Sequence, residues 1–194
     1  YTAFSGAENW IDEKVVTAIR RFVDQGGGFI GVGEPTAYQH QGRYFQLSDV
    51  LGVDREMEFS LSTDKYNEMD PHHFILEDID GDIDFGEGTS RIYAQGRHYQ
   101  ILAQDGEYSE LVVNEYGKGH SVYFAGLPYS PQNCRILLRA IYYAAGMEEE
   151  MKHYYVTNVD TEVTVFPETK RIAVINNADK PCHTDVYIKG NLVY

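Results

Sequence analysis

The feature that most constrains this chain is the join between a helix-patterned segment and GGGFIGVGEP, residues 26–35. Over residues 10–24, Ile11, Val15, Ala18, Ile19, Phe22 and Val23 recur at spacings of three and four, with Asp12, Glu13, Arg20 and Arg21 opposite or flanking. That periodicity predicts an amphipathic helix with one buried face. Gly26 stands where a glycine commonly ends a helix. Phe29, Ile30 and Val32 then make a short apolar run closed by Gly33-Glu34-Pro35, the pattern of a buried strand entering a sharp turn. A helix that returns directly to a buried strand is the second half of a parallel βαβ unit, so the chain is predicted to be α/β.

Gly26, Gly28 and Gly31 formally spell G-x-G-x-x-G. A dinucleotide fingerprint follows a strand and opens a helix, whereas these glycines end a helix and lead into a strand, so no cofactor loop is read here. The turn after the strand is where many α/β enzymes hold a nucleophile. Class I glutamine amidotransferase-like folds place a G-x-C-x-G elbow there. Laid on Gly31-Val32-Gly33-Glu34-Pro35, that pattern puts Gly33 at the nucleophile and Pro35 at the last glycine. Glycine has no side chain to attack with, and no Ser or Cys stands within five residues, so covalent chemistry of that type is absent from the turn.

Glu34 remains. A carboxylate just past the C-terminal end of a buried parallel strand sits where open α/β sheets make ligand contacts. It reads either as a contact to a polyhydroxylated ligand or neighbouring domain, or as a carboxylate satisfying turn amides. The following stretch, TAYQHQGRYFQL, places Tyr38, Gln39, His40, Gln41, Arg43 and Tyr44 in one exposed loop. Amide, guanidinium and aromatic groups together suit carbohydrate recognition and a protein interface equally.

Farther on, a short helical piece is predicted over 45–51, closed by Gly52, then a strand over 57–62 and a helical turn over 71–76. Strands are predicted over 91–95, 99–103 and 110–115, the last pairing with 120–125 across Tyr116-Gly117-Lys118-Gly119. Ser130-Pro131 is an N-cap and first-turn pair for a second helix with Ile136, Leu137, Ala140, Ile141 and Ala144 on its apolar face. A charged linker follows over 148–152, and beyond it the pattern is strand only, at 163–166, 171–176 and 184–188. A domain boundary is therefore expected near residue 151. TAFSG at the start reads as the loop after a strand, and Leu192-Val193-Tyr194 as the opening of another, so both ends are expected to be cuts in a longer protein.

The net charge of −14 sets the chain against nucleic acid and anionic membranes as partners. No apolar run approaches a membrane span, so a soluble protein is expected. Cys134 and Cys182 fall in different predicted modules without metal-ligand spacing and read as free thiols. In EDIDGDIDFGE, Asp78, Asp80, Asp82 and Asp84 alternate like calcium ligands. The register fails, since the sixth position is Ile83 and the twelfth Thr89, and a solvated acidic loop is expected. His72 and His73 are adjacent and would point to opposite faces of a strand, so no metal site is read.

Several segments together resemble the lacto-N-biose/galacto-N-biose (β-1,3-galactosyl-N-acetylhexosamine) phosphorylases: YTAFSGAENWIDEKVV, GGGFIGVGEPTAYQHQGRYFQLSDVLGVD, FSLSTDKY, VVNEYGKGHSVYFAGLPYSPQN and VDTEVT. The resemblance covers essentially the whole chain. It implies a class I glutamine amidotransferase-like (flavodoxin-like) α/β domain over residues 1–150, followed by part of an all-β domain over 151–194. It further implies a parent enzyme that cleaves β-galactosides with inorganic phosphate to give α-galactose 1-phosphate, without a cofactor, as a cytoplasmic homodimer. The general acid and the main sugar and phosphate contacts would lie in an N-terminal (β/α)8 barrel that this chain lacks. No catalytic residue is assigned here, and Glu34, Tyr38, Gln41, Arg43 and Tyr44 are the candidates for substrate or domain contact. A stand-alone sugar-binding or assembly module on an inactive amidotransferase-like scaffold is the alternative reading.

Overall fold

One helix returns directly to a strand of the main sheet, and that sheet organises everything else. The computed structural model describes residues 2–5, 13–35, 37–40, 43–56 and 68–189, with backbone only at 2–5, 37–40 and 43. β1 (Thr2–Ser5), α1 (Glu13–Asp24) and β2 (Gly28–Val32) form a complete βαβ unit, β1 pairing in parallel with β2 from Thr2↔Gly28 to Ser5↔Gly31. The sequence reads TAFSG as a loop, and the structure corrects this. A four-residue edge strand without an apolar run has no pattern of its own, and its pairing is provided by the backbone of β2.

The main sheet adds β7 (Tyr99–Asp105), β8 (Tyr108–Tyr116) and β9 (Gly119–Phe124), in the order β1-β2-β9-β8-β7. β9 runs parallel to β2, while β8 is antiparallel to both β9 and β7. Side chains alternate across the sheet as strand geometry requires. Phe29, Val112 and Tyr123 face α1 and α2 (Ser48–Leu51), packing with Val16, Val23, Val50 and Leu51. Ile30, Leu111, Val113, Val122 and Phe124 face α3 (Pro131–Ala144), packing with Ile136, Ala140 and Ala144. The result is a sheet with helices on both faces, and each fully buried aliphatic or aromatic side chain contributes roughly 1.5–3 kcal/mol. Among the described residues, no helix is long and apolar enough to cross a membrane.

The glycines of the opening stretch have a packing role. A β-carbon at Gly28 would run into the backbone of Ala144 in α3, and one at Gly31 would press on Pro35 and Leu51. The strand therefore carries glycine on each face where a covering element comes close.

Between the core elements the chain departs from its pattern in several places. In α1 the buried face holds Val16 and Val23, with Val15 turned to solvent at 47% exposure, and Arg20 reaches Asp49 of α2. Residues 34–56, read as a loop with one helical piece, contain β3 (Ala37–His40) paired with β4 (Arg43–Phe45), and β5 (Val53–Arg55) paired with β6 (Ile92–Ala94). Phe45 thus lies in a strand, and the helical piece is shortened to α2. The strand expected over 57–62 lies outside the described residues. A 3₁₀ turn spans Phe74–Leu76.

The segment read as a charged linker forms α4 (Glu148–Met151), docked through Met151, which is 5% exposed. Beyond it, β10 (Tyr154–Val156) pairs with β13 (Val186–Ile188), and β11 (Thr161–Phe166) with β12 (Arg171–Asn176), both antiparallel. Arg135 of α3 fixes this region in place. It is 6% exposed, donates to the carbonyls of Val156 at 2.7 Å and Asn158 at 3.2 Å, and pairs with Asp78 at 2.7 Å. Asp78 also meets Arg139 Nε at 2.5 Å. One carboxylate of the segment read as a solvated loop is therefore a structural ion-pair partner. Asp84 binds the Gly86 amide at 2.7 Å. Among the described residues, no group of three or more His, Cys, Asp or Glu side chains is placed to hold a metal ion. Cys134 and Cys182 are exposed free thiols.

Candidate functional site

The C-terminal ends of the parallel strands β2 and β9 meet at the turn Gly33-Glu34-Pro35. Gly33 adopts φ +68°, a left-handed conformation that glycine takes without steric cost. Its amide donates to the carbonyl of Phe124 at 2.8 Å, and its own carbonyl accepts from the Tyr123 hydroxyl at 2.8 Å. Both backbone polar groups of the turn residue are thus tied to β9. Burial pushes the Tyr123 hydroxyl far above the ordinary phenol range, and a hydrogen bond with Thr89 opposes this. The phenol stays neutral and serves as a fixed donor.

With the turn held from below, Glu34 projects at the strand ends and takes an ion pair from Arg55 Nη1. The same nitrogen donates to the Tyr44 hydroxyl at 2.9 Å, and the guanidinium lies 5.0 Å from the centre of the Tyr44 ring. Arg55 and Glu34 are 28% and 30% exposed, so the cluster is half-covered and borders solvent. A guanidinium held between a carboxylate and a phenol keeps further N–H donors suited to oxygen-rich groups.

Four devices place these side chains. Arg20 of α1 forms a two-pronged contact to Asp49, Nε to Oδ2 at 2.9 Å and Nη2 to Oδ1 at 3.0 Å. That partnership holds the Arg20 pKa above its ordinary value, against burial. Asn114 Nδ2 and Ser121 Oγ, from β8 and β9, donate to the Val50 carbonyl at 2.8 and 2.5 Å and satisfy the end of α2. Asp54, 3% exposed, uses one oxygen to accept the amides of Tyr44, Phe45 and Arg55 at 3.0, 2.9 and 2.9 Å. Phe45, fully buried, packs its ring 5.8 Å from that of Tyr123. Together they bring β4 and β5 over the strand ends.

Of the residues predicted from sequence, Glu34 and Tyr44 meet through Arg55. Tyr38 of β3 and Arg43 of β4 are described by their backbone alone, and Gln41 lies outside the described residues. Sequence reasoning missed Arg55, Asp54 and Tyr123. Glu34 and Arg55 are 21 positions apart, and a pairing at that separation leaves no local signature. The clue that was present is the alternation of Val53, Asp54 and Arg55, which marks a short strand with one buried polar residue.

Comparison with known proteins places this chain in a family. The profile of the lacto-N-biose phosphorylase central domain matches residues 1–149, and that of the C-terminal domain matches residues 154–194. A 1,3-beta-galactosyl-N-acetylhexosamine phosphorylase of Lachnoclostridium phytofermentans is 52% identical over 96% of this chain and 26% of its own length. Its counterpart from Bifidobacterium longum is 38% identical over 95% and 29%. A D-galactosyl-beta-1->4-L-rhamnose phosphorylase of L. phytofermentans is 30% identical over 97% and 26%. The chain therefore spans about a quarter of the length of the curated relatives it matches. Among solved structures, a β-galactosidase from Rahnella sp. R3 superposes with a TM-score of 0.53 at 16% identity, over 95% of this chain and 32% of its own, a likeness of fold alone. The two profiles together span nearly all of the sequence, and the chain belongs to the lacto-N-biose phosphorylase family.

Proposed function

We propose that this chain is the non-catalytic α/β part, with the start of the β part, of an inverting phosphorylase for galactosyl disaccharides. The parent enzyme would cleave galactosyl-N-acetylhexosamine or galactosyl-rhamnose with inorganic phosphate to give α-galactose 1-phosphate, in the cytoplasm and as a homodimer. The observation that carries this reading is the match of 52% identity across nearly the whole chain to a phosphorylase named for that substrate class.

Inverting phosphorolysis needs an acid to protonate the leaving oxygen while phosphate attacks the opposite face of the sugar. The turn at the strand ends carries Gly33 where an amidotransferase-type nucleophile would stand, and Glu34 is engaged by Arg55. On this reading the scaffold is amidotransferase-like and chemically silent at its elbow, and the reacting groups come from an N-terminal (β/α)8 barrel. The Glu34–Arg55–Tyr44 cluster faces that barrel and steadies the active-site mouth. Leu138 of α3, 44% exposed, and Tyr129, 92% exposed, support a surface that other parts of the protein cover.

The test is phosphorolysis by the full-length polypeptide, offered galactosyl-N-acetylglucosamine, galactosyl-N-acetylgalactosamine and galactosyl-rhamnose with inorganic phosphate. Release of α-galactose 1-phosphate from at least one is expected. Absence of a phosphate-dependent product from all three would overturn the reading.

A further inference from the structure

We propose that His73 is a pH-sensitive latch: its neutral ring pins the 3₁₀ turn Phe74–Leu76 onto α3, and protonation loosens that segment and the ion pairs it carries. The proposal rests on the geometry around His73 and is independent of the activity assigned above.

His73 caps the turn. Its Nδ1 accepts the amide of Ile75 at 3.2 Å, which requires that nitrogen to be unprotonated. The ring stands edge-on to Tyr143 of α3 with centroids 4.6 Å apart, and Tyr143 in turn lies 4.9 Å from His120 at the start of β9. Two imidazoles thus flank one buried-side phenol, between the capped turn, α3 and the sheet. Ile75 is fully buried and anchors the turn in the core shared with Ile136 and Ala140.

A proton on Nδ1 would set two donors against each other at the Ile75 amide and place a cation beside His120. Burial is the largest influence on His73 and lowers its pKa, and His120 adds to this; Glu77 and Asp70 act in the opposite sense. Other described groups around the cluster include Glu115 of β8 and Glu148 of α4 near Tyr143, Arg139 of α3 and Lys152 near Glu77, and the exposed His72. With the folded pKa below the unfolded one, the contribution of His73 is intact above the ordinary histidine range and is lost as pH falls below it.

The consequence extends beyond the turn. Arg139 donates to the Phe74 carbonyl at 2.7 Å and to Glu77 at 3.4 Å, while Asp78 pairs with both Arg135 and Arg139. Arg135 also holds the carbonyls of Val156 and Asn158. Loosening the turn therefore weakens the carboxylate side of the junction between α3 and the β10–β11 region.

Hydrogen exchange of the full-length polypeptide tests this. Protection factors, corrected for intrinsic exchange, are measured for amides 75–79 at about pH 7.5 and about pH 5.5. Protection is expected to fall about threefold or more in the wild type. It should stay level in His73→Asn, whose amide oxygen keeps the cap without titrating. Unchanged protection in the wild type, or an equal loss in His73→Asn, would overturn the latch. A proton NMR titration of the wild type supplies a readout independent of that variant's folding. The His73 ring should titrate below a histidine in an unstructured peptide, and titration at or above that reference would contradict the proposal.

Discussion

Arg55 concentrates the argument at the scale of single residues. Its guanidinium satisfies Glu34 and Tyr44 at once, so removing it leaves a half-covered carboxylate and a phenol without their shared donor. Arg55→Met is expected to lower unfolding stability by about 1 kcal/mol, since the pair is partly screened by solvent. Urea denaturation with circular dichroism would measure it, and a loss of several kcal/mol would mean that the cluster is structural first. Gly28 poses a different problem. Its missing side chain is space occupied by the backbone of Ala144, which cannot swing away as a side chain could. Gly28→Val should cost about 3 kcal/mol or more and broaden the unfolding transition. A variant as stable as the wild type would show that α3 can shift off the strand.

Among the elements, apolar periodicity was the legible part. α1, β2, the β8–β9 hairpin and α3 carry their hydrophobic residues at helix or strand spacing, and each forms close to where that spacing places it. Ser130 also caps α3 as its position before Pro131 suggests, accepting the Asn133 amide at 3.0 Å. Ser130→Ala should therefore cost about 1 kcal/mol in a urea melt. The elements that escaped sequence reading are held by polar contacts between distant residues. β4 and β5 depend on Asp54, and the short helix α2, expected with a longer N-terminal end, is fixed by Asn114, Ser121 and the Arg20–Asp49 pair; none of these shows in a hydrophobic pattern. β1 depends on the backbone of β2. Arg135 is the equivalent device at the junction. Arg135→Met is expected to destabilise by about 3 kcal/mol, because it strips buried carbonyls of their donor and leaves Asp78 with Arg139 alone. Hydrogen exchange should localise the damage to residues 154–161, and a uniform change across the chain would contradict that placement.

For the whole molecule, the charge of −14 makes the response to pH a property of the fold as well as of its parts. Two groups pull in opposite directions. Burial lowers the His73 pKa, so its stabilising contribution is lost as pH falls through the histidine range. Burial and the neighbouring Asp105 raise that of Glu110, so the folded state favours its protonated form and loses stability as pH rises through the carboxylate range. Thermal melts should accordingly find His73→Asn more stable than the wild type only at mildly acidic pH, and Glu110→Gln more stable only near neutrality and above. The reverse ordering would mean that the two sites do not control those limbs. At this scale the family was legible from long blocks such as residues 26–54, while the assembly of the site was not, because Arg55 reaches Glu34 only once the chain has folded. The central claim is that this α/β unit supports catalysis without supplying a reacting group. Steady-state phosphorolysis by the full-length Glu34→Ala variant tests it most directly. The account predicts that kcat/KM falls by up to about tenfold while the fold is retained. Turnover reduced to the uncatalysed level would make Glu34 a catalytic residue, and unchanged kcat and KM would remove the cluster from the function, and either result would contradict the account.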